Sequence, residues 1–150
     1  MTDELRVHLH FTMRGTFPLR LLDILFGTER LHYVEYGYLT PVDLAIGSAT
    51  RRARAFAQQV TNEGVAAALD HADNVETRTY DHVEAIEVFD GGRLTRPKVV
   101  VRATDESATT VRVHGEFDAD AFAGALESTL DANDVVVRQR EGGLRGLLGR

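Results

Sequence analysis

The sequence predicts a single α+β domain built on a mostly antiparallel sheet. Residues 5–14 alternate apolar and polar side chains, which is the period-2 pattern of a half-buried strand. Residues 42–60 instead carry apolar side chains at spacings of three and four, the pattern of an amphipathic helix. Several short strands follow over 75–116, and their connections are too short for parallel crossovers. Together these observations predict an antiparallel sheet with a helical insertion.

The composition limits the class of protein. The chain has 150 residues, enough for one domain with a hydrophobic core, and its formal net charge of −6 argues against a general nucleic-acid binder. It has no cysteine, which excludes disulfides, thiolate nucleophiles and cysteine-based zinc sites. No stretch approaches the roughly 18 apolar residues of a membrane span, and the charged N-terminus lacks an apolar signal core. We therefore expect a cytoplasmic protein.

The basic residues are almost all arginine. Lysine occurs once, at Lys98, and 17 − 1 leaves 16 arginines. This composition resembles that of proteins from salt-loving archaea, and a GC-rich genome of any kind explains it equally well.

The chain between the first strand and the helical insertion divides into two predicted elements. Pro18 suits the first position of a helix, so the apolar residues 18–26 predict a short helix closed by Gly27. Residues 30–39 are rich in aromatic and β-branched types and predict a second strand. Gly37 within this strand indicates a bulge or a close backbone approach.

The helical insertion is predicted at about 41–73. Thr40 is an N-cap residue, Pro41 fits the first helical position, and the carboxylate of Asp43 completes a capping pattern. Gly64 interrupts the apolar periodicity, so the insertion is predicted to contain two helices, the second one shorter.

The second half of the chain is predicted to be mostly strands. A corner is expected at 80–83 and a turn at 90–92, and Asp118 can cap a helix over 119–131. The strands are predicted at 75–79, 84–89, 98–104, 109–116 and 135–138. Residues 1–141 would form the domain, and the glycine-rich residues 142–150 would form a flexible tail.

Three phrases of the sequence match a known pattern. They are Thr28-Glu29-Arg30-Leu31-His32-Tyr33-Val34, Tyr80-Asp81-His82-Val83-Glu84-Ala85-Ile86-Glu87-Val88 and Arg96-Pro97-Lys98-Val99-Val100-Val101. Together with a helix at 118–131, they resemble the bacterial and archaeal pleckstrin-homology-like domains over residues 28–39 and 75–131. The resemblance implies a barrel-like sheet with a C-terminal helix, from which the insertion at 41–73 departs. It also implies a binding or interaction module, and it offers no catalytic residues.

The histidines are the candidate metal ligands. His8 and His10 share the polar face of the first strand, His32 lies on the next strand, and His114 lies on the polar face of strand 109–116. If these strands are neighbours, the imidazoles can meet and bind zinc or a similar metal. Polar positions on an exposed strand face explain the same histidines without a metal.

The arginines are the candidate anion ligands, because guanidinium groups pair well with phosphate and carboxylate. The candidate set is Arg51, Arg52, Arg54, Arg96 and Arg102. The alternative interpretation is a solvated helix face in a protein that has almost no lysine.

The sequence contains no recognised catalytic motif. Glu84 and Glu87 have an odd spacing, so the two carboxylates should face opposite sides of their strand. There is neither a Gly-x-Ser-x-Gly motif nor a glycine-rich phosphate loop.

We therefore expect a non-catalytic binding or protein-interaction module. Its partner would be a protein or a small anionic ligand, no cofactor is expected, and a homodimer is a further expectation. One alternative is a small metal- or ligand-dependent enzyme that uses the histidine cluster. Another is a peripheral membrane module that binds through residues 142–150.

Overall fold

The computed structural model describes residues 4–15, 19–92 and 95–141, and within these ranges eight strands form one mixed sheet. The strands are β1 (Val7–Arg14), β2 (Leu19–Phe26), β3 (Arg30–Leu39), β4 (Asn74–Thr79), β5 (Val83–Asp90), β6 (Lys98–Ala103), β7 (Thr109–Val113) and β8 (Val136–Glu141). The helices are α1 (Pro41–Ala45), α2 (Ser48–Glu63), α3 (Val65–His71) and α4 (Ala119–Leu130). The fold class is therefore α+β, as predicted.

The strand order is β4-β3-β2-β1-β7-β6-β5-β8. Strands β5 and β8 pair in parallel, and the other neighbours pair antiparallel. The parallel pair is possible because the chain crosses from β5 to β8 through two further strands and α4. In the described ranges no pairing joins β4 to β8, so the sheet is mixed and is not closed by hydrogen bonds.

The helix predicted over 18–26 is wrong, because residues 19–26 form strand β2. Leu22 faces the main core on one side of the sheet, and Leu21 faces a second apolar cluster on the other side. A strand buried on both faces carries a continuous apolar run, and such a run has no period that distinguishes it from a helix. Pro18, the proposed first residue of that helix, lies outside the described residues.

The insertion between β3 and β4 contains three helices rather than the predicted pair. The predicted cap is confirmed: Thr40 Oγ1 accepts a hydrogen bond from the Asp43 backbone N–H at 3.2 Å, and Asp43 Oδ2 accepts one from the Thr40 N–H at 2.8 Å. Gly47 adopts the left-handed conformation with φ 72° and separates α1 from α2. Gly64, with φ 91°, ends α2 as predicted.

The two faces of the sheet are covered differently. Helix α4 packs on the main core, where Phe122 meets Phe26 with ring centroids 6.0 Å apart. Helix α2 packs against β1 and β3 on the opposite face. The predicted corner is a 3-10 turn at Tyr80–His82, and the Tyr80 hydroxyl donates to Gly27 O at 2.7 Å. The polar sites described below lie on the same face as α2.

Candidate functional site

Strands β5–β8 carry a row of basic side chains on the face opposite the main core. Val99 and Val101 of β6 are buried in that core, so Lys98 and Arg102 point to the other face. Residues directly opposite in neighbouring strands share a face, which places the basic residues of β7 and β8 beside them. We call this surface the basic face, and its members are Lys98, Arg102, Arg112, Arg138 and Arg140.

Glu87 of β5 is the buried carboxylate of the basic face. Its side chain is 3% exposed and accepts hydrogen bonds from Arg102 Nε and Arg140 Nε. Burial by itself raises the pKa of Glu87, but the hydrogen bonds and positive charges of the two guanidinium groups outweigh it and hold the pKa below its ordinary value. The carboxylate therefore remains ionised and anchors both arginines on the strand surface.

The remaining members of the basic face have no carboxylate partner within the described part of the chain. Lys98 Nζ lies 4.5 Å from the centroid of the Phe89 ring, in cation–π geometry. Arg112 Nη2 donates to Gly15 O at 2.5 Å, and Arg138 is exposed. Because one buried carboxylate faces several cations, this surface keeps a positive charge in a chain whose net charge is −6.

The five arginines predicted to bind an anion are divided between two parts of the fold. Arg51 and Arg54 are exposed on α2, and Arg52 Nη1 donates to Tyr38 O at 3.3 Å. Arg102 belongs to the basic face, and Arg96 lies two residues before the first residue of β6. The sequence therefore predicted one member of the basic face. The signal that finds the others is their alternation with buried valines along the strands.

His8 and His10 of β1 converge on Asp23 of β2. His8 Nε2 lies 2.6 Å from Asp23 Oδ2, and His10 Nδ1 lies 2.5 Å from the same oxygen. The Asp23 side chain is fully buried, whereas the His8 and His10 side chains are 23% and 35% exposed. Two imidazole nitrogens and one carboxylate oxygen thus meet at one point beside solvent. We call these three residues the histidine–aspartate cluster.

The second oxygen of Asp23 is held by the protein around it. Oδ1 accepts the Phe11 backbone N–H at 2.8 Å and the Tyr36 hydroxyl at 2.7 Å. Phe11 has φ 58°, and the register between β1 and β2 shifts between Leu9 and Thr12. This bulge turns the Phe11 N–H away from the strand ladder and towards the carboxylate.

The protonation states within the histidine–aspartate cluster are coupled. The hydrogen bond to Asp23 raises the pKa of His10 despite partial burial of the ring. Burial by itself raises the pKa of Asp23, but the hydrogen bonds and charges of His10 and His8 lower it further than burial raises it. Burial and the Asp23 charge together raise the pKa of Tyr36, so its hydroxyl stays a donor.

The structure brings together two of the four histidines predicted as metal ligands and separates the other two from them. His32 Nδ1 lies 2.7 Å from Thr77 Oγ1 on the neighbouring strand β4. His114 stacks on Phe11 with ring centroids 6.0 Å apart, and burial together with Arg96 and Arg112 lowers its pKa to about 4. Sequence reasoning missed Asp23 because it assigned residues 18–26 to a helix.

Two clefts adjoin these residues. One of about 510 Å³ lies between α2 and α3 and is lined by Tyr36 and Arg52. The other, of about 630 Å³, lies between β1 and the segment leading into α4, and His8, His10 and Phe117 are among its lining residues. His8 and His10 of the histidine–aspartate cluster therefore border the second cleft.

The carboxylates considered for acid–base chemistry have structural explanations. Glu84 is exposed and Glu87 is buried, so the two carboxylates do not share an environment. Asp118 Oδ1 accepts the Ala121 N–H at 3.1 Å, which confirms it as the cap of α4.

No helix in the described ranges is both long and apolar enough to cross a membrane. The proposed membrane-binding tail, residues 142–150, lies outside the described residues.

Comparison with known proteins gives a likeness of fold. The sequence matches no protein-family model, and the comparison with curated proteins gives no match. The structure is similar to the hSac2 domain from the human phosphoinositide phosphatase Sac2, with a TM-score of 0.53, 10% identity, and coverage of 95% of this chain and 80% of that one. It is also similar to the C-terminal domain of an unknown protein from Leishmania infantum, with a TM-score of 0.49, 9% identity, and coverage of 85% and 84%. At such identity the likeness to the hSac2 domain shows that the two chains share an α+β fold and nothing about activity.

Proposed function

We propose that this protein is a non-catalytic binding module of the pleckstrin-homology-like kind, and that its basic face binds an acidic segment of a partner protein. The observation that carries the proposal is the charge imbalance around Glu87. This single buried carboxylate is shared by Arg102 and Arg140, while Lys98, Arg112 and Arg138 have no carboxylate partner among the described residues. The open basic face is therefore complementary to carboxylates supplied from outside.

The chemistry of the basic face supports a carboxylate-rich partner. Arginine presents a planar fork of donors that matches a carboxylate in bidentate geometry. Glu87 already engages the Nε atoms of Arg102 and Arg140, so their terminal nitrogens remain available to a second acidic group. Val136 on the same face is 47% exposed and offers an apolar contact beside the charges.

The surroundings of the basic face also support binding of an extended partner. Helices α1 and α2 pack over the other end of the sheet, against β1 and β3. Strand β8 is the last strand of the described sheet, so its outer edge adjoins the basic face. The pleckstrin-homology-like kinship is part of this proposal, and the mostly antiparallel sheet followed by helix α4 supports it, although no pairing closes the described strands into a barrel. A homodimer through the basic face would be opposed by repulsion of like charges.

The test compares charge reversal on two surfaces. Fluorescence anisotropy measures binding of a labelled glutamate-rich peptide to the wild-type protein, to Lys98→Glu/Arg138→Glu, and to the control Arg51→Glu/Arg54→Glu. Each double variant changes the net charge by the same amount, but the control lies on α2. We expect the first variant to lose about tenfold or more in affinity, since each ion pair at the rim of an interface contributes up to about 1 kcal/mol. The control should bind nearly as the wild type does.

Two results would overturn the proposal. Equal losses in the two double variants would show that binding follows the net charge and not the basic face. The second comparison uses vesicles that carry phosphatidylinositol phosphates in place of the peptide. Binding of the wild-type protein to these vesicles without measurable binding to the peptide would show that the basic face recognises a lipid headgroup.

A further inference from the structure

We infer that His8, His10 and Asp23 form a binding site for one divalent transition-metal ion of the zinc class. The site lies on β1 and β2, beneath α2, and does not involve the basic face. This inference goes beyond the proposed function, and either of the two can fail without the other.

The donor atoms of the histidine–aspartate cluster suit a zinc ion. Imidazole nitrogen and carboxylate oxygen are typical ligands of zinc, and two histidines with one carboxylate make up a common three-ligand set. The two imidazole nitrogens lie 2.6 and 2.5 Å from Asp23 Oδ2. Ligand atoms about 2.0–2.1 Å from a tetrahedral zinc ion are about 3.3 Å apart, so each imidazole must move away from Oδ2 by about 0.8 Å to admit the ion.

The Asp23 carboxylate is held in place by hydrogen bonds from neighbouring residues. Metal-ligating carboxylates are usually held in place by hydrogen bonds from residues that do not touch the ion. Asp23 shows this division between its two oxygens: Oδ1 takes the Phe11 N–H and the Tyr36 hydroxyl, and Oδ2 faces only the two imidazoles among the described residues. Tyr36 is itself fixed by parallel stacking on Phe56, with ring centroids 4.4 Å apart. The oxygen aimed at the proposed ion is therefore preorganised.

The histidine–aspartate cluster is accessible to an ion from solvent. Asp23 is fully buried, but both imidazoles are partly exposed and line the cleft of about 630 Å³ beside β1. The partly exposed imidazoles give an ion access from solvent, and three protein ligands leave further coordination positions for water. His32 and His114 have other neighbours, Thr77 and Phe11, and are not needed for the site.

Cobalt titration tests the site, because Co²⁺ replaces zinc at such ligands and its visible spectrum reports on coordination. The protein is first dialysed against a chelator, and the titration is repeated for His8→Gln, His10→Gln and the control His32→Gln, with circular dichroism to check folding. We expect the wild type and His32→Gln to bind one equivalent of Co²⁺, displaced by Zn²⁺. The ligand variants should bind at least about 100-fold more weakly, since loss of an outer partner alone lowers metal affinity about 10- to 100-fold.

Two results would overturn the inference. Weak wild-type binding that both ligand variants retain would show that Asp23 and the histidines form an ion-paired cluster without a metal. A loss in His32→Gln equal to that in His10→Gln would show adventitious binding to surface imidazoles. If a ligand variant does not fold, X-ray absorption of the zinc-loaded wild type decides, because the site requires scattering from two imidazoles and a spectrum without it contradicts the inference.

Discussion

The hydroxyl of Tyr36 donates a hydrogen bond to Oδ1 of Asp23 at 2.7 Å, and this bond links the helical layer of the fold to a fully buried carboxylate. Tyr36 belongs to β3, and its ring stacks on Phe56 of α2. Asp23 belongs to β2 and also receives His8 and His10 from β1. The carboxylate of Asp23 therefore connects strands β1, β2 and β3 and, through the Tyr36 ring, helix α2.

Removal of the Tyr36 hydroxyl should destabilise the protein. Tyr36→Phe keeps the ring stack but takes one donor from a buried charge, so we expect the free energy of unfolding in urea to fall by about 1.5–3 kcal/mol. Tyr38→Phe is the matched control, because Tyr38 is 49% exposed and should change stability by less than about 0.5 kcal/mol. Equal stabilities of the two variants would show that the bond to Asp23 contributes nothing.

Two glycine substitutions should change stability in opposite directions. Gly47 has φ 72° between α1 and α2, so Gly47→Ala forces a left-handed alanine and should destabilise the protein by about 1 kcal/mol. Gly124 lies inside α4 with open space where a Cβ would point, so Gly124→Ala should stabilise the protein by about 0.5–1 kcal/mol. Thermal unfolding of both variants measures the two changes in stability. A stabilising effect of Gly47→Ala would contradict the left-handed conformation of Gly47 between α1 and α2.

Neutralisation of Glu87 should destabilise the folded protein, because it leaves Arg102 and Arg140 without their shared charged acceptor. We expect Glu87→Gln to lose about 1–3 kcal/mol of stability at pH 7 and the exposed neighbour Glu84→Gln to lose less than about 0.5 kcal/mol. The folded-state pKa of Glu87 lies below its ordinary value of 4.5, so its stabilisation is complete above pH 4.5 and is lost as the pH falls through the folded-state pKa. Urea unfolding at several pH values should show a smaller acid loss in Glu87→Gln. An unchanged acid profile would contradict the role of this carboxylate.

His114 should contribute a separate loss of stability in mild acid. Burial and the charges of Arg96 and Arg112 lower its pKa in the folded protein from 6.5 to about 4. Between these two values the unfolded chain binds the proton more readily, so stability is complete above pH 6.5 and falls as the pH drops towards 4. We expect His114→Gln to lose less stability than the wild type between about pH 7 and pH 5, measured by urea unfolding. The same loss in both proteins would contradict the lowered pKa.

The sequence predicted those elements whose signals are local. The strand within residues 5–14, the Thr40 cap and the Asp118 cap are each set by neighbours along the chain, and all three are confirmed. The strict alternation of that strand is wrong beyond Leu9, because the bulge at Phe11 places Leu9 in the main core and Met13 in the cluster on the opposite face. Strand β2 was not predicted, because burial on both of its faces depends on β1, β3 and the helices that cover them.

The candidate site was predicted only in part for the same reason. His8 and His10 share a strand face by simple alternation, and this was predicted from the sequence. The partnership with Asp23 depends on the pairing of β1 with β2 and on the left-handed conformation of Phe11. A phenylalanine rarely adopts such a conformation, so no local signal in the sequence predicts the bulge.

The most direct test of the proposed function is chemical-shift mapping of the ¹⁵N-labelled protein with a glutamate-rich peptide. We expect the backbone amide signals of β5–β8, including those of Lys98, Arg102 and Arg138, to shift in proportion to the bound fraction, and the signals of Arg51 and Arg54 on α2 to stay unchanged. Shifts centred on α2, or no shifts at a peptide concentration that saturates binding, would contradict the assignment of the binding surface to the basic face.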